Sequence, residues 1–375
     1  FLYVVVNLKE AFKSIYKFKI IFIFIIGAIL ISLINYIFVG IEFINFINAL
    51  ISLVLGVTNL LSFDIFFRKN NYKINKYIKF LLIAYSISLI VGWIQFCAIK
   101  FDINFIKEFF MAIEKRSYIT NNRVQFTFTE PSFIGMHLFG VLLLMYIYTK
   151  DKRIPILILL FAISSIIFSC GIRILLDIMI CSILFLILNS SGKTRIISLS
   201  CIILVASIGL PILYNNNYRV KIIIDKGVYA DGSFASRYFR INSSVKGYIK
   251  DNRLLIGYGL GNSLIPIRSG YQEAMEEYKS TYLKEMNELA DENYTNDSVS
   301  YCLYTRIISE FGLVYLIAFI GYLYHISRKV QNKFLRNYIF ILLYLYVQFE
   351  SYAFYTIWLY IVMANIDMQR IKNKE

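Results

Sequence analysis

Histidine is almost absent from this sequence: two in 375 residues, His137 and His325, too far apart to suggest a metal site. Cysteine is scarce and unpatterned. Cys97, Cys170, Cys181, Cys201 and Cys302 are odd in number and fall within or at the ends of apolar runs, with no Cys-x-x-Cys or His/Cys cluster. That excludes a disulfide framework or a zinc site and leaves small buried hydrophobes as their role. The polar segments hold no Asp-x-Asp pair, so a divalent-metal sugar-phosphate site is not supported, and neither a metal nor a cofactor is expected. Proline occurs four times. There is no internal repeat, no Gly/Ser linker and no low-complexity tract.

What the chain has in abundance is apolar length. Apolar residues make up 58% of it and its mean hydropathy is +0.62. Runs of about 20 apolar residues suffice to cross a ~30 Å hydrocarbon core, and a lipid-exposed backbone must satisfy its own hydrogen bonds. The expected fold class is therefore an all-α polytopic membrane protein. Ten spans are expected, at 20–39, 46–66, 80–99, 131–148, 154–170, 172–189, 196–214, 311–326, 337–349 and 353–366. The last two are one apolar run split at Gln348-Phe349-Glu350-Ser351. The opening Phe1-Leu-Tyr-Val-Val-Val runs directly into Asn7-Leu-Lys-Glu and reads as the tail of a span, with more helix expected upstream. It is not a signal peptide, which needs a positive flank before its apolar run.

The net charge of +15 raises the question of nucleic acid, which its distribution answers in the negative. Lys and Arg gather at residues 9–19, 68–79, 150–153, 193–195, 328–336 and 370–374, on every second connection of the ten-span arrangement. This is the bias that orients membrane proteins, and it makes both ends cytoplasmic. The chain then divides into an N-terminal transmembrane bundle (1–214), a large external loop (215–298) and C-terminal transmembrane helices (299–375). The loop carries eleven basic and eleven acidic residues, nine against three in 215–268 and two against eight in 269–298. A helix is expected over 234–250, a tight turn at Gly257-Tyr-Gly-Leu-Gly261, and a charged helix over 270–290 with Glu273, Glu276, Glu277 and Lys284 on solvated faces. The two halves either pair or stack outward from the membrane.

Candidate chemistry lies on the external side. Thr129-Glu130-Pro131 marks a helix start, since proline at the first helical position loses no needed donor and a carboxylate suits the positive helix end. Glu130 thus sits at the mouth of the fourth span. Arg173 begins the sixth span. An arginine inside a span costs roughly 2.5–3.5 kcal/mol near its centre and less near an end, so it has a partner or a function. Asp177, one turn deeper, is the structural partner, and an anion-facing role is compatible with that pairing. Arg237 and Arg240 are three apart on one helix face; each alone reads as a solvated loop arginine. With Arg123 and Arg173 they form a set of planar, permanently charged forks that match phosphate oxygens. Asp297 and Tyr301 are further candidates. His137, two turns below Glu130, reads as packing or an interhelical hydrogen bond. Asp64 and Arg68 read as an interface pair.

These segments together resemble the O-antigen polymerase and ligase superfamily, the Wzy-type polysaccharide polymerases. The stretch from Arg123 through Phe128-Thr-Glu-Pro-Ser-Phe133 is similar to the family's Arg…Phe-x-Glu-Pro-Ser. Ser169 to Arg173 resembles its Ser-Arg, with Cys170, Gly171 and Ile172 standing between them here. Ser236-Arg237…Arg240 followed by Gly257-Tyr-Gly-Leu-Gly261 resembles its Arg-bearing helix before a Gly-x-Gly-x-Gly turn, and Ile308-Ser-Glu-Phe-Gly312 its Leu-x-Glu-x-Gly. The likeness covers most of 115–365. The His-Asn usual in the ligases is absent near Tyr301, which favours a polymerase, and the proline before the glycine turn is replaced by Arg253-Leu254. The resemblance implies a GT-C-class helical bundle in a bacterial plasma membrane and metal-independent glycosyl transfer. A glycan on undecaprenyl pyrophosphate would pass to a lipid-linked repeat unit, with membrane lipid around it and a chain-length regulator and flippase as working partners. It further implies Arg173 with Arg237 or Arg240 on the pyrophosphate, Arg123 assisting, Tyr301 near the substrate, and Glu130 as base or arginine-orienting group. A ligase of the same superfamily and a non-enzymatic lipid-linked oligosaccharide transporter are the alternatives. The latter would need polar mid-membrane helices in two similar halves.

Overall fold

A computed structural model of the chain describes residues 1–114, 117–168, 170–193, 195–197, 200, 207, 211, 214–215, 218–227, 230–277, 286, 289 and 300–372. It is 80% helical, with no strand among the described residues. The apolar runs fall on helices: 20–39 on Lys19–Val39, 46–66 on Phe43–Lys69, 80–99 on Asn75–Lys100, 131–148 on Pro131–Thr149, 154–170 on Arg153–Ile167 and 172–189 on Ile172–Asn189. The last three correspond to Leu313–Lys329, Lys333–Tyr346 and Tyr355–Lys372, with the break at Gln348–Ser351 where it was expected. Most of 196–214 lies outside the described residues. Lys19–Val39, Phe43–Lys69, Asn75–Lys100 and Pro131–Thr149 are each long and apolar enough to cross a membrane.

The helices sort into two compact units. The first comprises residues 1–69, 221–329 and 346–375. Its amphipathic Leu8–Lys17 helix sets Ala11 against Leu61 and Ile65 of Phe43–Lys69. The interface pair expected at Asp64 and Arg68 forms, and it is part of a larger group. Asp64, fully buried, accepts hydrogen bonds from Ser14 Oγ (2.6 Å), Lys17 Nζ (2.6 Å) and Arg68 Nε (2.9 Å). A buried carboxylate needs such a set of donors, because desolvation without them would cost several kcal/mol.

The Gly232–Lys250 helix, expected at 234–250, starts where Asp231 accepts a 2.9 Å hydrogen bond from the Phe234 N–H, a side-chain cap for one of the orphan donors. Ala235 and Phe239 on its inner face pack with Leu264, Ile267, Tyr271 and Ala274. Along its outer face the basic and acidic halves of the loop pair, through Lys246–Glu277 (2.6 Å) and Lys250–Glu273 (2.9 Å). The helix expected over 270–290 is seen as Tyr271–Glu277; Lys284, Asp297 and most of 278–299 lie outside the described residues.

The second unit comprises residues 70–220 and 330–345. The helix that begins at Pro131 is not the uniform α-helix the apolar run suggested. It opens as a 3-10 turn (Pro131–Phe133), becomes α (Ile134–His137), widens to a π segment (Leu138–Leu142) and closes as α (Leu143–Thr149). A side chain reaches into this ladder: the Tyr338 hydroxyl shares its one proton between the carbonyls of Phe139 (2.9 Å) and Gly140 (2.8 Å) and competes there with the helix's own N–H donors, a setting in which helices widen or bend. His137 takes the role expected of it. Its Nδ1 lies 2.9 Å from the Tyr85 hydroxyl, and its ring stacks on Phe128 with centroids 4.3 Å apart.

Candidate functional site

In the first unit the sequence motifs assemble around two contacts. One is the junction of the glycine turn with the Leu303–Phe311 helix. The N–H of Tyr258 donates to Ser309 O (2.7 Å), that of Gly259 to Glu310 O (2.8 Å), and that of Leu313 to Leu254 O (2.8 Å). Gly257 has φ +71°, and a Cβ there would stand 2.7 Å from the backbone nitrogens of Phe311 and Gly312. The turn is also tied to Lys19–Val39: Asn35 donates to Ile256 O (2.9 Å), Tyr36 to Leu260 O (2.7 Å), and Ser32 Oγ accepts from the Leu260 N–H (2.9 Å). Both backbone and side chains therefore fix this turn, and a residue with a Cβ does not fit at Gly257.

Beneath it lies a buried polar group. Arg306 and Glu310, 3% and 0% exposed, form an i,i+4 ion pair at 3.0 Å. Glu310 also accepts from Ser263 Oγ (3.0 Å) and from the Tyr352 hydroxyl (2.7 Å), and Arg306 lies over the Tyr352 ring at 4.7 Å. Burial alone would pull the Arg306 guanidinium down. The carboxylate of Glu310, through its charge and its hydrogen bond, together with the charge of Glu350, outweighs this and raises it above the ordinary arginine value.

The second contact gathers Arg237, Arg240 and Tyr301. The two guanidinium carbons stand 5.3 and 4.8 Å from the centroid of the Tyr301 ring, within cation–π range. Here one expectation fails. Arg240 is not a solvated loop arginine; it is 2% exposed and among the largest fully buried side chains. The reason is the register of its helix, which turns Ser236, Phe239, Arg240, Ser243 and Ser244 inward together. Ser236, one turn before Arg240, is also buried, and its hydroxyl has no hydrogen-bond partner among the described residues. Arg237 is half-buried.

The other three candidates belong to the second unit. Arg123 donates from Nη2 to Cys170 O (3.0 Å) and lies over the Tyr118 ring at 5.4 Å. It thereby grips the chain three residues before Arg173, the second residue of Ile172–Asn189; Ser169 lies outside the described residues. Asp177, one turn below Arg173 and 1% exposed, accepts a 3.0 Å hydrogen bond from the Tyr344 hydroxyl. Glu130 is the residue before the 3-10 turn, and its carboxylate accepts from Ser132 Oγ (2.7 Å).

Glu130 also lines a cleft of about 1040 Å³ together with Glu114, Gln125, Thr127, Thr129 and a wall of Phe and Ile side chains from Asn75–Lys100 and Asn104–Ile113. Gln95 organises one side of it. Its Oε1 accepts from the N–H groups of Gln125 (3.1 Å) and Phe126 (2.9 Å), while its Nε2 donates to Phe126 O (2.9 Å) and Glu114 Oε1 (2.7 Å). Burial raises the Glu114 carboxyl, against hydrogen bonds from Ser117 and Gln95 that hold it down.

Sequence reasoning placed Glu310 in a motif but gave no role to Arg306, Glu350, Gln95 or Glu114. The available signals were an Arg and a Glu one helical turn apart at 306 and 310, and single polar residues, Asn35 and Gln95, inside otherwise apolar runs. No family model, no curated protein and no solved structure matches this chain.

Proposed function

We propose that this protein is a polysaccharide polymerase. It transfers a growing glycan from undecaprenyl pyrophosphate onto a lipid-linked repeat unit at the external face of a bacterial plasma membrane. The observation that carries the reading is the convergence of Arg237 and Arg240 on Tyr301, in the unit where the glycine turn docks on Glu310 and Gly312. Two of the segments that resemble the polymerase family, the glycine turn and residues 308–312, are in contact within that unit, though they are some fifty residues apart in sequence.

The chemistry suits the geometry. Glycosyl transfer from a pyrophosphate needs its developing negative charge stabilised by donors already in place. Two guanidiniums, one fully buried and one half-buried and both held on the Tyr301 ring, are the proposed donors, and attraction between charges is stronger away from bulk water. No metal enters this scheme. In the second unit, Arg173 and Arg123 are the proposed further anion contacts, and Glu130 is the proposed base for the acceptor hydroxyl. The proposed topology is the ten-span arrangement with a GT-C-class bundle, both ends cytoplasmic and 215–298 external, as the alternating basic loops favour.

The test is the surface glycan of a deletion strain, complemented with wild-type protein or with Arg237→Ala/Arg240→Ala. A polymerase predicts single lipid-linked repeat units and no long-chain ladder in the deletion and in the doubly substituted strain. A ladder that persists but is no longer joined to its final acceptor would identify a ligase. Repeat units held on the cytoplasmic side would identify a transporter.

A further inference from the structure

We infer that Glu350 is a positioning residue for the Arg237–Arg240 pair and that it acts through Tyr301, whose ring is the platform on which both guanidiniums rest. The break between Lys333–Tyr346 and Tyr355–Lys372 places Glu350 there, 7% exposed. Its Oε2 accepts hydrogen bonds from two consecutive backbone N–H groups, Ser300 (2.7 Å) and Tyr301 (3.0 Å). Tyr301 has φ +53°, a left-handed conformation that a residue with a Cβ holds only when something fixes it. The paired N–H bonds to a charged acceptor are that fixing element, since charge-assisted bonds are about twice as strong as neutral ones.

The consequence falls on the arginines. A ring held in this conformation faces Arg237 and Arg240 at 5.3 and 4.8 Å. The carboxylate behind Tyr301 thus orients the ring that faces two like charges three residues apart. Glu350 also contributes its charge to Arg306, so one residue links the ring platform to the ion pair under the glycine turn.

This inference rests on the reading that the arginine pair receives a pyrophosphate, and the experiment separates the two. Full-length protein in detergent is treated with phenylglyoxal, and labelling at each arginine is followed by peptide mass spectrometry, with and without inorganic pyrophosphate. Arg240 should label slowly in the wild type. Tyr301→Leu and Glu350→Gln should raise its rate about tenfold, in the upper range of what cation–π contacts supply. Tyr301→Phe keeps the ring and should keep most of the protection. Arg268, ion-paired to Glu42 at 3.2 Å, is the internal reference; its labelling rises only if the unit unfolds. Should Glu350→Gln not yield monodisperse protein, Glu350→Asp, which keeps the charge but withdraws it by one methylene, takes its place. Unchanged Arg240 labelling in Tyr301→Leu overturns the platform, and unchanged labelling in the Glu350 variant overturns the positioning role of Glu350. Pyrophosphate that fails to slow labelling of Arg237 in the wild type overturns the functional reading and leaves the platform standing.

Discussion

Gly257→Ala isolates the packing of the glycine turn from everything else in the protein. The substitution adds one methyl group, and two separate penalties follow from its position. The left-handed backbone at φ +71° costs a residue with a Cβ roughly 1–2 kcal/mol. The new Cβ would also stand 2.7 Å from Phe311 N and Gly312 N and 2.8 Å from Glu310 C. These are backbone atoms, which cannot rotate aside, and overpacking of this kind costs about 1–3 kcal/mol. The sum is about 2–5 kcal/mol. Two other glycines provide the controls. Gly227, which follows the Tyr218–Lys226 helix and donates to Ile223 O (3.0 Å), has a positive φ of +86° but nothing within 4 Å of an added Cβ, so it carries the backbone penalty alone. Gly27 sits inside Lys19–Val39 with open space beside it, and alanine there is favoured by its helix propensity. Thermal unfolding in detergent, followed by size-exclusion fluorescence, should rank the variants Gly27→Ala above Gly227→Ala and Gly257→Ala lowest by a clear margin. Equal loss at Gly227 and Gly257 would refute the claim that the turn is clamped between backbones.

Two further outcomes are expected. The raised Glu114 carboxyl, caused first by burial, gives a definite sign: its contribution to stability is present at low pH and is lost as pH rises through its raised folded value. Glu114→Gln, which retains partners for Gln95 and Ser117, should therefore stabilise the protein at neutral pH and flatten its melting profile as pH rises above the ordinary glutamate value of 4.5; an unchanged slope refutes the assignment. Arg173→Lys keeps the charge but loses the guanidinium fork, so it should shorten the glycan ladder almost as much as Arg173→Ala at equal membrane level; a near-normal ladder removes Arg173 from the anion contacts.

The parts of this fold that are legible in the sequence are those set by local composition. Apolar run length places the helices to within a few residues, as with 20–39 against Lys19–Val39, because hydropathy and helix length answer to the same constraint. Punctuation is equally local: Pro131 opens a helix, and Gln348–Ser351 interrupts one. The mutual docking of the glycine turn and Leu303–Phe311 is not local. It depends on backbone groups some fifty residues apart, and resemblance alone suggested that the two segments belong together. The burial of Arg240 was also hidden, since charge and loop position both argue for solvent and only the packing of Phe239 with Tyr271 fixes which face turns inward. The π segment at Leu138–Leu142 receives the hydroxyl of Tyr338, which no reading of the 131–149 stretch contains.

The buried charges of the first unit raise the question of why they are retained. Around Tyr301 and Tyr352, Arg240, Arg306, Glu310 and Glu350 are each 7% exposed or less, and formally these two positive and two negative charges balance; Asp64 and Asp231 are buried apart from them on their own donors. Balance is not stabilisation. Replacing a buried ion pair with well-packed apolar residues is often neutral or stabilising by roughly 1–4 kcal/mol, while removing one partner alone costs about 3–5 kcal/mol. If Arg306 and Glu310 served stability alone, nothing would favour their retention over a methionine and a leucine of similar volume. Their contacts define a different role. Glu310 receives Ser263 and Tyr352 through its carboxylate and the glycine turn through its carbonyl, so the pair sets the register between three segments. Glu310→Leu alone should therefore unfold or severely destabilise the unit. The Arg306→Met/Glu310→Leu double variant should recover most of the wild-type melting temperature and still fail to polymerise, because the stability returns without the orientation. A double variant that melts like the wild type and also restores the full ladder would show that the pair has no orienting function, and that its charges can be removed without consequence.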